Sequence, residues 1–295
     1  MSTVVSHTQT TEDDITNEAL RRVEDTPDAR TREIMVSLIK HLHGFIKDVQ
    51  LTEAEWFEGI KFLTATGQMC DDIRQEFILL SDTLGVSMVV DLINHRKPAG
   101  ATESTVFGPF HREGAPEMTR GQNMATADPK GQPCVISGHV LDPSGKPIAN
   151  ALLDLWQANS QGFYDSQLPN HDTLQMRGKY RTDDDGSFVV LTTRPVHYQI
   201  PSDGPVGRML KATNHHAWRP AHVHFVVSAD GYEPVTTHIF DSIDPYLKSD
   251  AVFGVKESLI VNFGEHQTTD TAAKRGTDVN APFCTADFDF VLKPV

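Results

Sequence analysis

The chain has 295 residues, of which 39% are hydrophobic, and its formal net charge is −14. This length accommodates one large domain or two ordinary ones. The acidic balance argues against a nucleic-acid partner, because such partners usually bind basic patches. The sequence has no apolar run as long as the roughly 18 residues of a membrane-spanning helix, so we expect none.

The N-terminus and the cysteine content both favour a cytoplasmic protein. The first residues, MSTVVSHTQTTEDD, are polar and acidic and lack the apolar stretch of a secretory signal. The three cysteines, Cys70, Cys134 and Cys284, are odd in number and form no CxxC pair. A disulfide framework or a cysteine zinc site is therefore not expected.

Before residue 105, hydrophobic residues recur at helical spacings of three and four. Thr52 and Glu55 resemble a capping box that opens one of these helices. Residues 1 to about 15 are expected to be disordered. The pattern predicts four helices, over residues 32–49, 52–63, 71–84 and 86–93.

After residue 105, short apolar runs alternate with turn residues, which is typical of a β protein. Asp185-Gly186 predicts a hairpin, and Asp230-Gly231 predicts a turn between two further strands. The final segment, ADFDFVLKP, alternates polar and apolar residues and predicts a terminal strand. These signals together favour an antiparallel β-sandwich.

The change of pattern predicts a mainly β protein with two domains. Residues 1–105 would form an N-terminal α-helical linker or dimerisation domain. Residues 106–295 would form an antiparallel β-sandwich catalytic domain. Since short helices often cover an interface, we expect a dimer through the helical part.

The segment RPAHVHF, residues 219–225, has two histidines at alternate positions. Residues i and i+2 of a strand share a face, so His222 and His224 project together. Imidazole is the commonest protein metal ligand, so the pair could be half of a metal site. Two packed or exposed histidines are the simpler interpretation.

The neighbouring residues narrow the choice of metal site without deciding it. A cupin glutamate, a zinc-hydrolase His-x-His-x-Asp-His pattern and a helical His-Glu-x-x-His are all absent from the sequence. A mononuclear iron site with two histidines and one carboxylate stays open. Tyr164 and Tyr198 follow predicted strands, where loops carry functional side chains. Taken singly, ordinary packing explains each tyrosine.

Four separated segments resemble those of the intradiol ring-cleavage dioxygenases. They are LDLWQANSQGFYD, KYRTDDDGSF, HYQIP and RPAHVHF, in this order and spacing. These enzymes are non-haem Fe(III) proteins of the catechol 1,2-dioxygenase type, and the resemblance covers nearly the whole chain. It implies that Tyr164, Tyr198, His222 and His224 bind Fe(III).

The resemblance also implies how these ligands act. Tyr164 and His222 would be equatorial, and His224 would be axial. The diol substrate would displace Tyr198, the second axial ligand, which then accepts a substrate proton. A phenolate is a hard anion, and a bound cation can deprotonate a tyrosine at neutral pH.

Two further residues carry implied catalytic roles. Arg219 matches an arginine that stabilises carbanion character on the substrate ring by electrostatic preorganisation. His238 stands where catechol-cleaving members usually have glutamine. We expect it beside the iron ligands, with a charge that depends on pH.

The segments ESTVFGPFHREGAPE and YQIPSDGPVG, with His238, resemble members that act on hydroxyquinol, 1,2,4-trihydroxybenzene. The implied product is 3-hydroxy-cis,cis-muconate, equivalent to maleylacetate. Gly108 would leave space for the third hydroxyl, and Asp82 would hydrogen-bond it. The resemblance places the substrate pocket among Leu79, Asp82, Val106, Phe107, Gly108, Phe110, Ile200, Pro201, Arg219 and Val252.

Three alternatives stay open from the sequence. The nearest is a catechol or chlorocatechol 1,2-dioxygenase, which would produce cis,cis-muconate with the same iron chemistry. The others are an extradiol-type Fe(II) enzyme and a non-catalytic β-sandwich binding module. Resemblance to the family further implies a homodimer through the N-terminal helices, with a phospholipid-like molecule buried at the interface.

Overall fold

The computed structural model describes residues 9–72, 74–169 and 172–295. The chain divides into two compact units, one up to residue 64 and one over residues 65–295. Within the described ranges, no helix combines the length and the apolar character needed to cross a membrane.

The first unit is helical, as predicted. At the start of its third helix, the Thr52 N–H donates to Glu55 at 2.9 Å, and the Glu55 N–H donates to Thr52 Oγ1 at 3.3 Å. The predicted capping box is therefore confirmed. The helices are α1 (Glu12–Val23), α2 (Ala29–Val49) and α3 (Glu53–Gln68), which continues past residue 64.

Helix α1 was not predicted, and the expectation of disorder to residue 15 is wrong from Glu12 onward. Residues 1–8 lie outside the described ranges. Thr11 and Asp14 form a reciprocal capping box, with N–H to side-chain distances of 2.9 and 3.2 Å. Three acidic residues in the first turn also favour the positive end of the helix dipole.

The second unit contains four more α-helices among its described residues. The helix predicted over residues 71–84 begins only at Glu76, because Asp71 Oδ1 accepts the Arg74 N–H at 2.6 Å and forms a turn first. Ile73, part of that prediction, lies outside the described residues. The four are α4 (Glu76–Thr83), α5 (Val86–Asn94), α6 (Pro205–Ala212) and α7 (Asp270–Lys274).

Two five-stranded sheets and a two-stranded ribbon complete this unit. The strands are β1 (Pro133–Leu141), β2 (Leu152–Trp156), β3 (Arg177–Arg181), β4 (Ser187–Thr193), β5 (Tyr198–Gln199), β6 (Trp218–Arg219), β7 (His222–Ser228), β8 (Val235–Asp241), β9 (Ile260–Val261), β10 (Gly264–His266), β11 (Phe283–Asp287) and β12 (Phe290–Val291). One sheet has the order β10–β11–β1–β12, with β4 also paired to β1. The other has the order β3–β2–β7–β8–β9, and β5 pairs with β6.

The sheets are mixed rather than purely antiparallel. Strand β1 pairs in parallel with β11 and β12, and β8 pairs in parallel with β9. The hairpin predicted at Asp185-Gly186 is also wrong. The turn exists, but β3 pairs with β2 whereas β4 pairs with β1 in the other sheet. A turn signal specifies that the chain reverses, and it does not specify which strand each arm joins.

The terminal segment forms two short strands instead of one. A Cβ atom at Gly138 would lie 1.9 Å from the Phe288 carbonyl oxygen. The missing side chain therefore lets the link between β11 and β12 approach β1, where the Phe288 N–H donates to Ser137 at 3.0 Å. This contact interrupts the strand that alternation predicted.

Both sheets contribute to one buried apolar core, to which β7 supplies Val223, Phe225 and Val227. Each such side chain contributes about 1.5–3 kcal/mol when fully buried. The intervening His222 and His224 project from the opposite face, as alternation predicts. Packing of the apolar face thereby fixes the direction of both imidazoles.

Candidate metal centre

Three neighbouring strands bring aromatic rings to one level around His224. Its register partners are Trp156 on β2 and His238 on β8. The Trp156 ring stacks on His224 with centroids 4.6 Å apart, and the His238 ring meets it edge-on at 4.0 Å. His238 also stacks on His222 at 4.8 Å. The ladder of strand pairs therefore restricts the orientation of both imidazoles.

Two tyrosines approach the histidines from loops outside these strands. Tyr164 follows β2, and Tyr198 opens the ribbon strand β5. A Cβ atom at Gly162 would lie 3.0 Å from the Tyr198 Cβ, and Gly162 has a φ of 83°. Glycine at this turn therefore lets the two tyrosine-bearing segments pack closely.

The polar atoms of these four residues converge. Tyr164 Oη lies 3.3 Å from Tyr198 Oη and 2.9 Å from His224 Nε2. His222 Nε2 lies 3.4 Å from Tyr164 Oη and 3.1 Å from His224 Nε2. All four residues are at most 4% exposed. Two phenol oxygens and two imidazole nitrogens thus face one buried point.

The hydrogen bonds of the cluster fit a metal ion. His222 Nδ1 lies 2.6 Å from the Pro220 carbonyl, so it carries the proton and leaves the Nε2 lone pair facing the cluster. His224 Nδ1 and both His238 nitrogens lack a hydrogen bond of good geometry among the described residues, and the contact of His238 with the Val106 backbone falls short of one. The three imidazoles have nitrogens within 4.8 Å of one another. Such a concentration of acceptors is costly unless a cation binds there.

Burial controls the charge of these groups. It lowers the pKa of His222 well below the usual value, assisted by Arg219, and it lowers that of His224, assisted by His238, His222 and Arg219, so both imidazoles are neutral at pH 7. Burial also raises the pKa of Tyr164, with Tyr198 adding to the effect, and raises that of Tyr198. A nearby cation is therefore needed for either tyrosine to ionise at neutral pH.

His238 is fully buried, which disfavours its charged form. Its pKa is lowered well below the usual value, mainly by burial and then by His222 and Arg219, although the Val106 backbone opposes the shift. The side chain is 0% exposed. Burial therefore favours the neutral form of His238 near pH 7, and the expectation of a pH-dependent charge stays a prediction.

Arg219 lies at the edge of the cluster. It is the register partner of Tyr198 in the β5–β6 ribbon, and its Nη1 is 3.2 Å from His222 Nε2. Pro220 separates β6 from β7, so the strand ladder is interrupted between Arg219 and His222. A positive charge that is 3% exposed thus lies beside the phenol of Tyr198.

The structure shows two of the predicted pocket residues, Gly108 and Phe110, against the cluster. A cavity of about 380 Å³ is lined by Leu79, Phe110 and Pro201, among others. The Phe110 ring stacks on Tyr164 with centroids 4.3 Å apart, and a Cβ at Gly108 would lie 3.3 Å from His224. Of the remaining predicted residues, Asp82, Val106, Ile200 and Val252 are buried.

Phe107 differs from this set. Its side chain is 47% exposed, and its ring contacts His111 and Trp156 at centroid distances of 4.7 and 5.6 Å. The structure therefore places Phe107 against His111 and Trp156, and Trp156 in turn stacks on His224.

Sequence reasoning missed three residues that support the cluster. Trp156 stacks on His224, Arg177 forms a buried pair with Asp165 beside Tyr164, and Asp250 pairs with Arg219. For Trp156, its position at the end of a predicted strand was a usable signal. For Asp250, no local pattern marks it, because Arg219 is 31 positions away.

The fold and the cluster define the class of protein. Residues 28–102 match the family model described as catechol dioxygenase N terminus, and residues 106–294 match the one described as dioxygenase. The chain belongs to the intradiol ring-cleavage dioxygenase family and is an enzyme. The alternatives of a binding module and of an extradiol enzyme are therefore set aside.

Several relatives are similar over nearly their full lengths. The chain is 50% identical to 6-chlorohydroxyquinol 1,2-dioxygenase of Cupriavidus pinatubonensis, covering 95% of this chain and 96% of the relative. It is 48% identical to hydroxyquinol 1,2-dioxygenase of a Rhizobium species, covering 92% of each. A crystal structure of hydroxyquinol 1,2-dioxygenase from Pseudomonas putida superposes with a TM-score of 0.91 at 53% identity, covering 96% of this chain and 99% of that one.

Proposed function

We propose that this enzyme cleaves hydroxyquinol between its adjacent hydroxylated carbons, inserting both atoms of O2 to produce 3-hydroxy-cis,cis-muconate. The observation that carries the proposal is the convergence of Tyr164, Tyr198, His222 and His224 on one buried point. The names of the similar relatives support the substrate.

The proposed cofactor is Fe(III), bound by these four residues. Hard phenolate anions suit a ferric ion, and two phenolates with a hydroxide balance three positive charges. When bound, the ferric ion withdraws electron density from the aromatic diol, so that a ring carbon reacts with O2. The neutral imidazoles complete the donor set without adding charge.

Tyr198 is suited to accept a proton from the substrate. Burial raises its pKa, but Arg219 opposes that shift, and the two residues face each other in the ribbon. If the diol displaces Tyr198, the phenol formed by proton transfer remains beside Arg219. The guanidinium can then stabilise negative charge developing on the substrate ring.

Asp82 is the proposed recognition group for the third hydroxyl. It is 4% exposed, and burial raises its pKa, with Asp250 adding to the effect while Ser87 and Arg219 oppose it. A buried carboxylate that needs a hydrogen-bond donor disfavours a substrate without the matching hydroxyl. Catechol would leave that carboxylate with only its Ser87 hydrogen bond and the charge of Arg219.

Asp82→Ala should lower kcat/KM for hydroxyquinol by about 10–100-fold, the loss expected for one hydrogen bond to a charged group. Activity with catechol should change much less. Parallel kinetics with the two substrates measure the ratio. Asp91→Asn is a matched control, because Asp91 is a buried acid on α5 that bonds Ser104 and His95 instead. An unchanged ratio for Asp82→Ala would remove Asp82 from substrate recognition.

Asp82→Asn should also stabilise the protein at neutral pH. The folded-state pKa lies above the unfolded value, so protonated Asp82 favours the folded state in acid, and this advantage is lost as pH rises through the folded pKa. At pH 7 the substitution should raise the free energy of unfolding by about 1 kcal/mol. The gain should shrink toward pH 4 in denaturant titrations, and a larger gain in acid would contradict this sign.

His238 is proposed to support His222 and His224 through ring contacts. His238→Gln should lower turnover about 10-fold, the low end of the effect of losing a residue that supports a ligand. The pH profile near neutrality should keep its shape, because His238 is neutral there. His266→Gln, at a partly buried strand histidine bonded to Thr285, is the control. Unchanged activity in His238→Gln would show that His238 does not support His222 and His224 in this way.

The proposed architecture has a domain boundary near residue 105 and a β-sandwich over residues 106–295. The two family matches, which end at residue 102 and begin at residue 106, support the boundary. The shared core of the two sheets supports the sandwich. The three unpaired cysteines are consistent with a reducing cytoplasm.

We further propose a homodimer through the N-terminal helices. One face of α2 carries apolar side chains that are 50–53% exposed in the single chain, a pattern typical of an interaction surface. Light scattering should report twice the 32.7 kDa chain mass. Lipid extraction would test for a buried phospholipid. The exposed apolar residues on this face of α2 are Ile34, Leu38, Leu42, Phe45 and Val49.

Oxygen uptake by the iron-loaded protein tests the substrate directly. Hydroxyquinol and catechol are compared at matched concentrations. Strong uptake with hydroxyquinol and little with catechol supports the proposal. Preference for catechol would overturn the substrate while leaving the ligand set intact.

A further inference from the structure

Arg219 has a buried carboxylate partner. Its Nε donates to Asp250 Oδ1 at 3.0 Å, and its Nη2 donates to Asp250 Oδ2 at 3.3 Å. Both side chains are 3% exposed. The remaining guanidinium nitrogen, Nη1, is the one that lies 3.2 Å from His222 Nε2. The two-point contact therefore fixes which part of the guanidinium faces the ligand cluster.

The same carboxylate organises a loop. The Val252 N–H donates to Asp250 Oδ1 at 3.3 Å, and the Gly254 N–H donates to Oδ2 at 2.9 Å. A Cβ at Gly254 would lie 3.0 Å from Arg219 Nη2 and 3.1 Å from Asp250 Oδ2. Because Gly254 has no side chain, the loop backbone and the guanidinium can both pack around the Asp250 carboxylate. Val252 lies on this loop, between Asp250 and Gly254.

Charge balance agrees with this geometry. Burial alone would lower the pKa of Arg219, but Asp250, Tyr198 and Tyr164 together outweigh it, so the guanidinium stays charged. A buried cation without a partner is strongly unfavourable. Without Asp250, the Arg219 side chain would therefore be attracted to other negative groups. The other acidic groups that interact with it are Asp82, and Tyr164 and Tyr198 once they ionise, and both tyrosines are proposed ligands.

We propose that Asp250 is a positioning residue that holds Arg219 with Nη1 toward the substrate site and couples it to the loop carrying Val252. This inference rests on the proposed catalytic role of Arg219. Asp250 itself touches no reacting atom. Its influence on kcat should therefore pass through Arg219, whereas its bonds to the Val252 and Gly254 N–H groups act on the loop.

A double-mutant cycle separates this role from a general structural one. Asp250→Asn should lower kcat about 10–100-fold, as for other residues that orient a catalytic group. The dissociation constant for hydroxyquinol, measured without oxygen from the change in absorption, should move less than about threefold, because the lost interaction acts on the reaction rather than on binding. In an Arg219→Ala background, Asp250→Asn should have almost no further effect on kcat.

Two variants serve as controls. Asp244→Asn alters a buried aspartate that supports the same chain segment, accepting the Ala221 N–H at 3.0 Å, without contacting Arg219. It should keep kcat near the wild-type value. Asp250→Glu restores a carboxylate and should recover part of the lost kcat. Since this recovery should be only partial, Asp250→Glu can replace Asp250→Asn in the double-mutant cycle if thermal melting shows that the asparagine variant does not fold.

The outcomes are distinct. A double variant with the same kcat as Arg219→Ala supports the inference. Losses that multiply would show that Asp250 acts independently of Arg219, and would overturn the inference while leaving the proposed function standing. If Arg219→Ala itself leaves kcat unchanged in an iron-loaded protein, the catalytic role of Arg219 fails, and the inference fails with it.

Discussion

Replacing Tyr164 with phenylalanine should lower turnover on the order of 10³-fold, at the upper end of what losing one preorganised polar group costs. Tyr164 Oη is the central atom of the cluster, since it lies within 3.4 Å of the polar atoms of Tyr198, His222 and His224. The variant keeps the ring that stacks on Phe110, so its fold should persist. Iron content, oxygen uptake and the visible phenolate-to-iron absorption should all fall.

Tyr180→Phe is the matched control. Tyr180 is 1% exposed, and its hydroxyl donates to the Gln122 carbonyl at 2.8 Å, outside the cluster. Its loss should cost about 1 kcal/mol of stability, the usual worth of a hydrogen bond, without changing colour or turnover. A Tyr164→Phe enzyme with wild-type colour and iron content would show that Tyr164 is not a ligand.

Arg177→Met should destabilise the protein by about 3 kcal/mol, the low end for a buried ion pair that loses one partner, because Asp165 keeps only the partly exposed Arg112 at 3.5 Å. Arg177 Nε donates to Asp165 Oδ2 at 2.7 Å, and both side chains are 1% exposed. Arg177 Nη2 also donates to the Phe110 carbonyl at 3.2 Å. Since Asp165 follows Tyr164 directly and Phe110 stacks on it, turnover should fall as well.

Denaturant unfolding measures this loss, and two further variants test its cause. Arg120→Met breaks an ion pair with Asp183 whose side chains are 37% and 52% exposed, and it should cost less than about 1 kcal/mol. The double variant Asp165→Leu with Arg177→Met removes both charges and should recover much of the stability. A double variant less stable than Arg177→Met would contradict an unpaired charge as the cause.

Local patterns in the sequence determined the helical first part, the strand content of the second part and the faces of β7. These features depend on interactions among near neighbours. Thr52 caps a helix three residues on, and alternation in β7 sends Val223 and Phe225 to the core and His222 with His224 to the other face. Four segments that resemble those of the family, in the same order and spacing, then indicated the family, and the family matches confirm it.

The strand partners depend on long-range packing that the sequence does not reveal. The turn at Asp185-Gly186 was readable, yet its two arms join different sheets, because pairing is decided by which buried surfaces fit. Likewise, the close approach of Phe288 at Gly138 divides a segment whose alternation predicts one strand.

The support around the site was also decided by the tertiary structure. Asp250 meets Arg219, Arg177 meets Asp165, and Trp156 meets His224 through contacts between segments that are distant in sequence. The proposed ligand residues can be recognised in the sequence by their chemical type and spacing. The groups that hold them have ordinary side chains, and their function arises because burial makes an unpaired charge or an unsupported ring costly.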